Sequence, residues 1–529
     1  MKKQISRIIL ISLGLFFTLN AQGYIEADPF NLMFYEKASF QNGQDSEPLL
    51  IRPVFKSAHN PGHRWTLSVR NEFFYNSNAP NLENTSDRWI GRGVNFFTSF
   101  RIAYMGKFII FTAEPFYFMS QNRNYRQPLR KDRYSRLNDV RVHTRSPYIA
   151  KGLRETQFYL HYRYIGLGLS NANMWWGPGI HSSLNMTNNT TGFKHIMIGT
   201  LRDKRIWKIG LNIRYIFSEM DSKNAAEPYY TALVFSTTIY SDPVLTVGFS
   251  RTYLTGGNRT DEKISKKRAM LIPFEALFLE SKQKDPDDPT SALDIWDQTL
   301  SGYLSADFPE SGLKVFVEYG RNDHAWDKID LRRQPDHTAA SVIGLRKYGF
   351  FGNKNLTGGI EYANLARSRY TVGGIFVRKR AGADWYDRWQ YDYSSYNGRH
   401  WGAHSGPDSD DFTIYFGYIS ERLSFIPSFN YERHGLVENV PVGEEQDSDD
   451  FGAVLGLVGD QPDVWPEVKL EFRLDFRFVH RGFRFNVYYE REFVDNLEFR
   501  GLKRRSNVLW FGVERYFDKL SFPLFSRGE

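Results

Sequence analysis

The sequence predicts an all-β protein: a transmembrane antiparallel β-barrel of about 18 strands with short periplasmic turns and long extracellular loops. Three observations predict it. Apolar and polar residues alternate along many segments of roughly 10 to 13 residues. Short and long connections alternate between those segments. The chain opens with the pattern of an export signal. Composition agrees: 16% of the 529 residues are aromatic, 24% are charged and the mean hydropathy is −0.49. Such a chain is neither intrinsically disordered nor a bundle of apolar membrane helices. The absence of cysteine excludes disulfides, thiolate metal sites, cysteine nucleophiles and a lipidated N-terminal cysteine. A net charge of +8 is modest for this length, and no sustained basic stripe argues for nucleic acid.

Residues 1–21 carry Lys2, Lys3 and Arg7, then an apolar run from Ile8 to Leu19, then the small residue Ala21. That order is a secretory signal peptide, and its apolar run is too short for a membrane anchor. Residues 22–64 form an N-terminal periplasmic lead-in segment, and Gly23 to Arg64 shows no long 3.6-residue periodicity. The barrel occupies 65–517, and 518–529 form a C-terminal tail.

Within the barrel, Trp65, Leu67, Val69, Phe73 and Tyr75 alternate with Thr66, Ser68, Arg70 and Glu72. The same period recurs in Trp207, Ile209, Leu211, Ile213, Tyr215 and Phe217, and in Leu470, Phe472, Leu474, Phe476 and Phe478. Successive side chains of a strand point to opposite faces, so each segment has one apolar and one polar face. A soluble sandwich alternates too, but seldom over strands this long, whereas a tilted membrane strand needs about 9 to 11 residues. Eighteen segments qualify, with 369–380 as a further candidate. Tight turns are expected at Met105-Gly106, Ile165-Gly166, Asp203-Lys204, 241–243, 309–312, Gly352-Asn353, Glu421-Arg422 and Arg481-Gly482. The nine other connections are long: 77–92, 120–154, 171–190, 221–228, 257–297, 322–339, 365–410, 434–465 and 493–505. The final strand ends on Tyr516-Phe517, which suits an aromatic girdle. Charged strand residues such as Arg214, Glu318, Glu361, Arg473, Asp475 and Arg477 then face a lumen of mixed charge.

Two loop segments stand out. One runs from Ser170 through Trp175-Trp176-Gly177-Pro178-Gly179 and Ser183-Leu184 to Asn188-Asn189 and Gly192-Phe193. The other runs from Tyr393 through Gly398-Arg399, Gly402-Ala403-His404 and Gly406-Pro407-Asp408. At these residues, and at Asp297-Gln298 and Glu361, the sequence resembles the Wzi family of capsule-assembly outer-membrane proteins. The resemblance covers roughly Gly152 to Phe517. It implies a barrel of the size counted above, acting without catalysis as a surface lectin that tethers capsular polysaccharide. The best-known members carry an N-terminal helical bundle, from which the 23–64 stretch departs.

The residues support that reading independently. Trp175, Trp176 and Trp401 offer flat faces for stacking on sugar rings. His181, Asn188, Asn189, Arg399, His404 and Asp408 can supply directed hydrogen bonds, and Arg399 adds charge-assisted bonds to acidic glycans. The alternative for each residue is a structural role in a loop that constricts the barrel. No metal or cofactor is expected. His400 and His404 are spaced four apart, but their Gly- and Pro-rich segment is no helix. The acidic stretches 285–288 and 444–450 lack the spacing of a calcium loop and read as solvated. The expected partners are capsular polysaccharide or exopolysaccharide and outer-membrane lipid, with the protein monomeric. A porin or export channel is the alternative function, and an outer-membrane hydrolase or acyl-modifying enzyme is a third.

Overall fold

A computed structural model describes residues 24–27, 29–41, 48–55, 64–261, 263–278, 296–322, 338–366, 385–436 and 466–517. The signal peptide, the acidic stretches, the candidate strand at 369–380 and the C-terminal tail lie outside the described residues. The strands close into a single antiparallel barrel. In chain order they are β1 (Arg64–Asn76), β2 (Gly93–Met105), β3 (Ile109–Ser120), β4 (Tyr148–Tyr162), β5 (Ile165–Ser170) and β6 (His195–Thr200). Next come β7 (Ile209–Glu219), β8 (Tyr229–Ile239), β9 (Val244–Thr255), β10 (Trp296–Phe308), β11 (Leu313–Asn322) and β12 (Ala339–Phe350). The last six are β13 (Asn353–Asn364), β14 (Ser409–Ile419), β15 (Leu423–His434), β16 (Glu467–His480), β17 (Phe483–Leu497) and β18 (Leu502–Phe517). Closure is made by β18 on β1, from Val508 opposite Asn76 to Phe517 opposite Leu67.

The period of two becomes the two faces of the wall. In β16, Phe472, Leu474, Phe476 and Phe478 are exposed on the outside, while Glu471, Asp475 and Arg477 are buried inside. In β1, Phe73 and Tyr75 point out, and Arg70, Glu72 and Phe74 point in. Each strand satisfies its backbone groups on its neighbours, which is what allows a sheet to stand in lipid. The predicted polar face is therefore inside, but the lumen is filled: Arg214, Glu318, Glu361 and Arg477 are all buried.

Three expectations change. The sixth hairpin turns at Trp207-Lys208, not Asp203-Lys204, because Lys204–Ile206 continues the pairing, with Ile206 opposite Ile209. The connection 493–505 is not long: β17 and β18 run on beyond the other strands, and Glu498 to Gly501 close them. The described part of the 22–64 segment contains a 13-residue helix, α1 (Pro29–Gln41), and lies against the inner face of the barrel wall. Leu32, Met33, Phe34, Tyr35, Glu36 and Lys37 are consecutive and all buried. A helix surrounded by a barrel wall has no solvent stripe, so it shows no amphipathic period.

The wall holds this segment by charge. Arg346 of β12 donates to both oxygens of Glu36 at 2.8 and 2.9 Å, Tyr348 donates at 3.0 Å and Lys314 lies 3.3 Å away. Glu26 pairs with Arg101 of β2, and Lys37 donates to the Ile419 carbonyl and, at 2.7 Å, to Asn355 beside the periplasmic turns. A second helix, α2 (Lys266–Phe278), lies against β8 and β9, with its Met270 carbonyl accepting from Tyr215 at 2.9 Å.

Candidate functional site

The two motif loops do not project outward; they fold into the lumen and dock on each other. Asn189 donates to the His400 carbonyl at 2.9 Å, and the Thr187 amide donates to the Trp401 carbonyl at 2.7 Å. The Thr187 hydroxyl adds a bond to the Gly402 carbonyl at 2.6 Å. At Gly402 the backbones meet so closely that a Cβ would lie 2.0 Å from the Tyr386 hydroxyl and 2.2 Å from the Leu184 carbonyl. Gly177 has φ +123°, and a Cβ there would lie 2.9 Å from Glu318 and from Ser183. Close approach thus requires both glycines, and backbone shape requires Gly177 as well.

Strand carboxylates hold the first loop from the wall. Glu361 of β13 accepts from the backbone amides of Ile180, His181 and Ser182 at 2.9, 3.1 and 2.6 Å. Glu318 of β11 accepts from the Ser183 hydroxyl at 3.0 Å and the Leu184 amide at 3.3 Å. From the periplasmic side, Ile51–Arg52 pairs as a short strand with Trp175–Trp176. The Arg52 guanidinium lies 4.7 Å from the Trp175 ring centroid, and the Gly177 amide donates to the Leu50 carbonyl at 2.8 Å.

This geometry corrects the expected role of most sequence-selected residues. Trp175 and Trp176 are 0% exposed and Trp401 is 3% exposed, so none of the three presents a ring face to a sugar. Trp401 packs edge-on against Tyr230, with centroids 5.5 Å apart. Arg399 turns inward and holds loop 77–92 by donating to the carbonyls of Leu82 and Ser86 and to Thr85. Burial pushes its guanidinium down to about 10. Asn188 donates to the Asn84 carbonyl at 3.2 Å, and Asp408 is buried, accepting from Tyr134 at 3.4 Å. His400 stacks on Tyr386, and burial pushes its pKa down to about 4. His404 is buried beside Asp411. Of these nine residues, His181 borders a cavity of about 230 Å³ and His404 a smaller one of about 20 Å³. Burial opposes the charged form of His181, but the neighbouring Asp411 carboxylate wins and raises its pKa to about 9.

The larger cavity, of about 230 Å³, lies in the lumen between loop 77–92, His181 and the inner faces of β14 to β18 and β1. Its lining combines Arg88, Arg473, Tyr488, Trp510, Asn84 and Asn430 with several carboxylates. The Arg473 guanidinium lies over the Tyr488 ring at 4.0 Å and pairs with Asp475 at 2.8 Å. As site residues they left no motif: Arg473, Tyr488, Trp510 and Asn430 are single members of ordinary alternating strands, and Asn84 and Arg88 lie in a loop. Only the Arg473-x-Asp475-x-Arg477 charge run hinted at them.

A closed barrel of eighteen strands with an apolar outer wall and a polar, packed interior defines an outer-membrane protein. The family model described as capsule assembly protein Wzi matches residues 76–501, and the chain belongs to that family. Among solved structures, the Escherichia coli outer-membrane protein Wzi is similar, with a TM-score of 0.59 at 11% identity. The match covers 94% of this chain and 100% of that one. That protein is a carbohydrate-binding β-barrel involved in group 1 capsule assembly. OprD from Pseudomonas aeruginosa aligns at 10% identity over 87% of this chain and 95% of its own, with a TM-score of 0.41. OccAB3 of Acinetobacter baumannii gives the same TM-score and identity over 86% and 99%. No curated protein sequence matches this chain significantly.

Proposed function

We propose that this barrel binds capsular polysaccharide or exopolysaccharide and anchors it at the cell surface, without catalysing any change in it. The observation that carries the reading is the lumenal cavity, in which guanidinium, amide and aromatic groups converge beside an otherwise filled lumen. Aromatic faces with a few directed polar groups are the chemistry of a glycan site. About 230 Å³ is small beside pockets of roughly 300 to 1,000 Å³ for drug-sized ligands, which suits one sugar unit or a chain end. Arg88 and Arg473 are each held by both oxygens of a wall carboxylate, Glu72 and Asp475, so the mixed-charge lining suits a neutral, hydroxyl-rich sugar. The two motif loops build the plug that shapes this cavity, with Ile180 and His181 as their contribution to its lining.

The test is polysaccharide partition in a deletion strain at equal total synthesis. A shift from cell-bound to released material supports anchoring, and an Arg473→Gln protein that restores the barrel but not retention assigns the cavity. Unchanged retention with altered uptake of small solutes points to a channel instead. Release of reducing ends or acyl groups by the purified protein points to an enzyme.

A further inference from the structure

His181 and His404 come from different loops and lie 223 positions apart, yet their rings meet at a centroid distance of 4.5 Å, edge to face. Between them sits Asp411, whose Oδ2 is 3.1 Å from Nε2 of each histidine. Neither His404 ring nitrogen makes a hydrogen bond, and neither does Asp411 Oδ2, although all three atoms are buried. The His404 side chain is 1% exposed and that of Asp411 0%. Two imidazoles converging on one buried carboxylate make a nitrogen and oxygen donor set of the kind zinc takes. Glu83 Oε2 lies 3.6 Å from His404 Nε2, and Glu83, His181 and His404 form one cluster whose donor atoms lie within 4.8 Å of one another.

We propose that Glu83, His181 and His404 bind one divalent transition-metal cation, zinc by ligand type, with the Asp411 carboxylate set against both imidazoles. Two imidazoles with carboxylate oxygens suit zinc rather than calcium or magnesium, which prefer all-oxygen sets. Glu432 is nearby but less suited, because its two oxygens are held by His434 at 2.5 Å and Lys469 at 2.8 Å. Lys469 contacts Glu83 and Glu432, and His434 holds the other Glu432 oxygen, so Asp411 Oδ2 is the carboxylate oxygen that faces the two histidines. The ion would tie loop 77–92, loop 171–194 and loop 365–408 to β14 at a single point, on the rim of the cavity. This site stands on its own donor atoms and holds whether or not the cavity binds glycan.

The test uses the full-length mature barrel in detergent, stripped with EDTA and titrated with Zn²⁺ by calorimetry, then with Co²⁺ by visible spectroscopy. One equivalent of Zn²⁺ is expected, with Co²⁺ giving the intense ligand-field bands of a four-coordinate nitrogen and oxygen set and no thiolate band. His404→Ala should weaken Zn²⁺ binding on the order of 100-fold or more. His480→Ala, a solvent-exposed histidine at a periplasmic turn, should leave it unchanged. Folding of each variant is checked by heat-modifiable gel mobility. Equal binding by folded His404→Ala and by the parent overturns the assignment, as does a parent that binds no Zn²⁺ or binds Ca²⁺ in preference. If His404→Ala does not fold, the cobalt spectrum of the parent decides alone, and absence of those bands overturns the site.

Discussion

The two sides of the lumen are built from different chemistry. On the side of β5 to β13, large groups are buried: Trp175, Trp176, Trp385, Arg52, Arg214 and Arg346 are each less than 2% exposed. On the side of β14 to β18 and β1, Arg473, Tyr488, Trp510 and Arg88 border open space. The loop tryptophans, which look most like ligand binders by type, serve the packed side, and Arg399 holds a loop that borders the open one. Residues of unremarkable strand pattern line the open one. An aromatic-rich loop in a barrel protein is therefore as ready to be a plug as a ligand surface, and burial decides between the two.

The sharpest way to break this contrast is on the packed side. Trp176→Ala is expected to cost about 3 to 5 kcal/mol, because a large buried ring leaves a cavity that the barrel cannot collapse. Denaturant melts in detergent would show it, and planar bilayers should show conductance steps that the parent lacks. A loss below about 1 kcal/mol would mean that the plug is loosely packed and the contrast false.

His400 supplies the next effect. Its unfolded pKa near 6.5 falls to about 4 on burial, so between those values the unfolded chain binds the extra proton. Stability then decreases as pH drops from 6.5 to 4 and levels off below, a change on the order of 3 kcal/mol. His400→Gln should flatten that slope in melts run across this range.

On the open side, Arg473→Gln should weaken glycan binding about tenfold, or ~1.4 kcal/mol, while leaving the heat-modifiable form intact. Equal loss of binding and fold would show that Arg473 acts through its pair with Asp475 and not through a ligand. The smallest effect belongs outside both regions. Lys503 and Asp495 pair at 3.1 Å on the exposed extension of the last hairpin, and Lys503→Ala should change stability by less than ~1 kcal/mol.

The wall was readable because lipid contact is settled residue by residue: an outward Phe472 and an inward Glu471 differ by one position, and period two records it. The same logic explains the tight turn at Arg481-Gly482, where Arg481 has φ +47° and Gly482 +79°. The two motif loops were also readable as a pair, and Asn189 does reach His400. Their side-chain directions were not, because a loop folded into a barrel owes its orientation to distant partners such as Glu361, Glu318 and Arg52.

The sequence by itself determined the barrel, its strand count, its polar interior and its family resemblance, because lipid and backbone pairing impose rules that act over a few neighbouring residues. Tertiary structure alone decided the rest: that α1 lies inside the wall, where burial on every side erases its period; that the loop tryptophans are covered; and that His404 meets His181 rather than His400. Each of these depends on contacts between residues tens to hundreds of positions apart, and such contacts leave no local pattern to read.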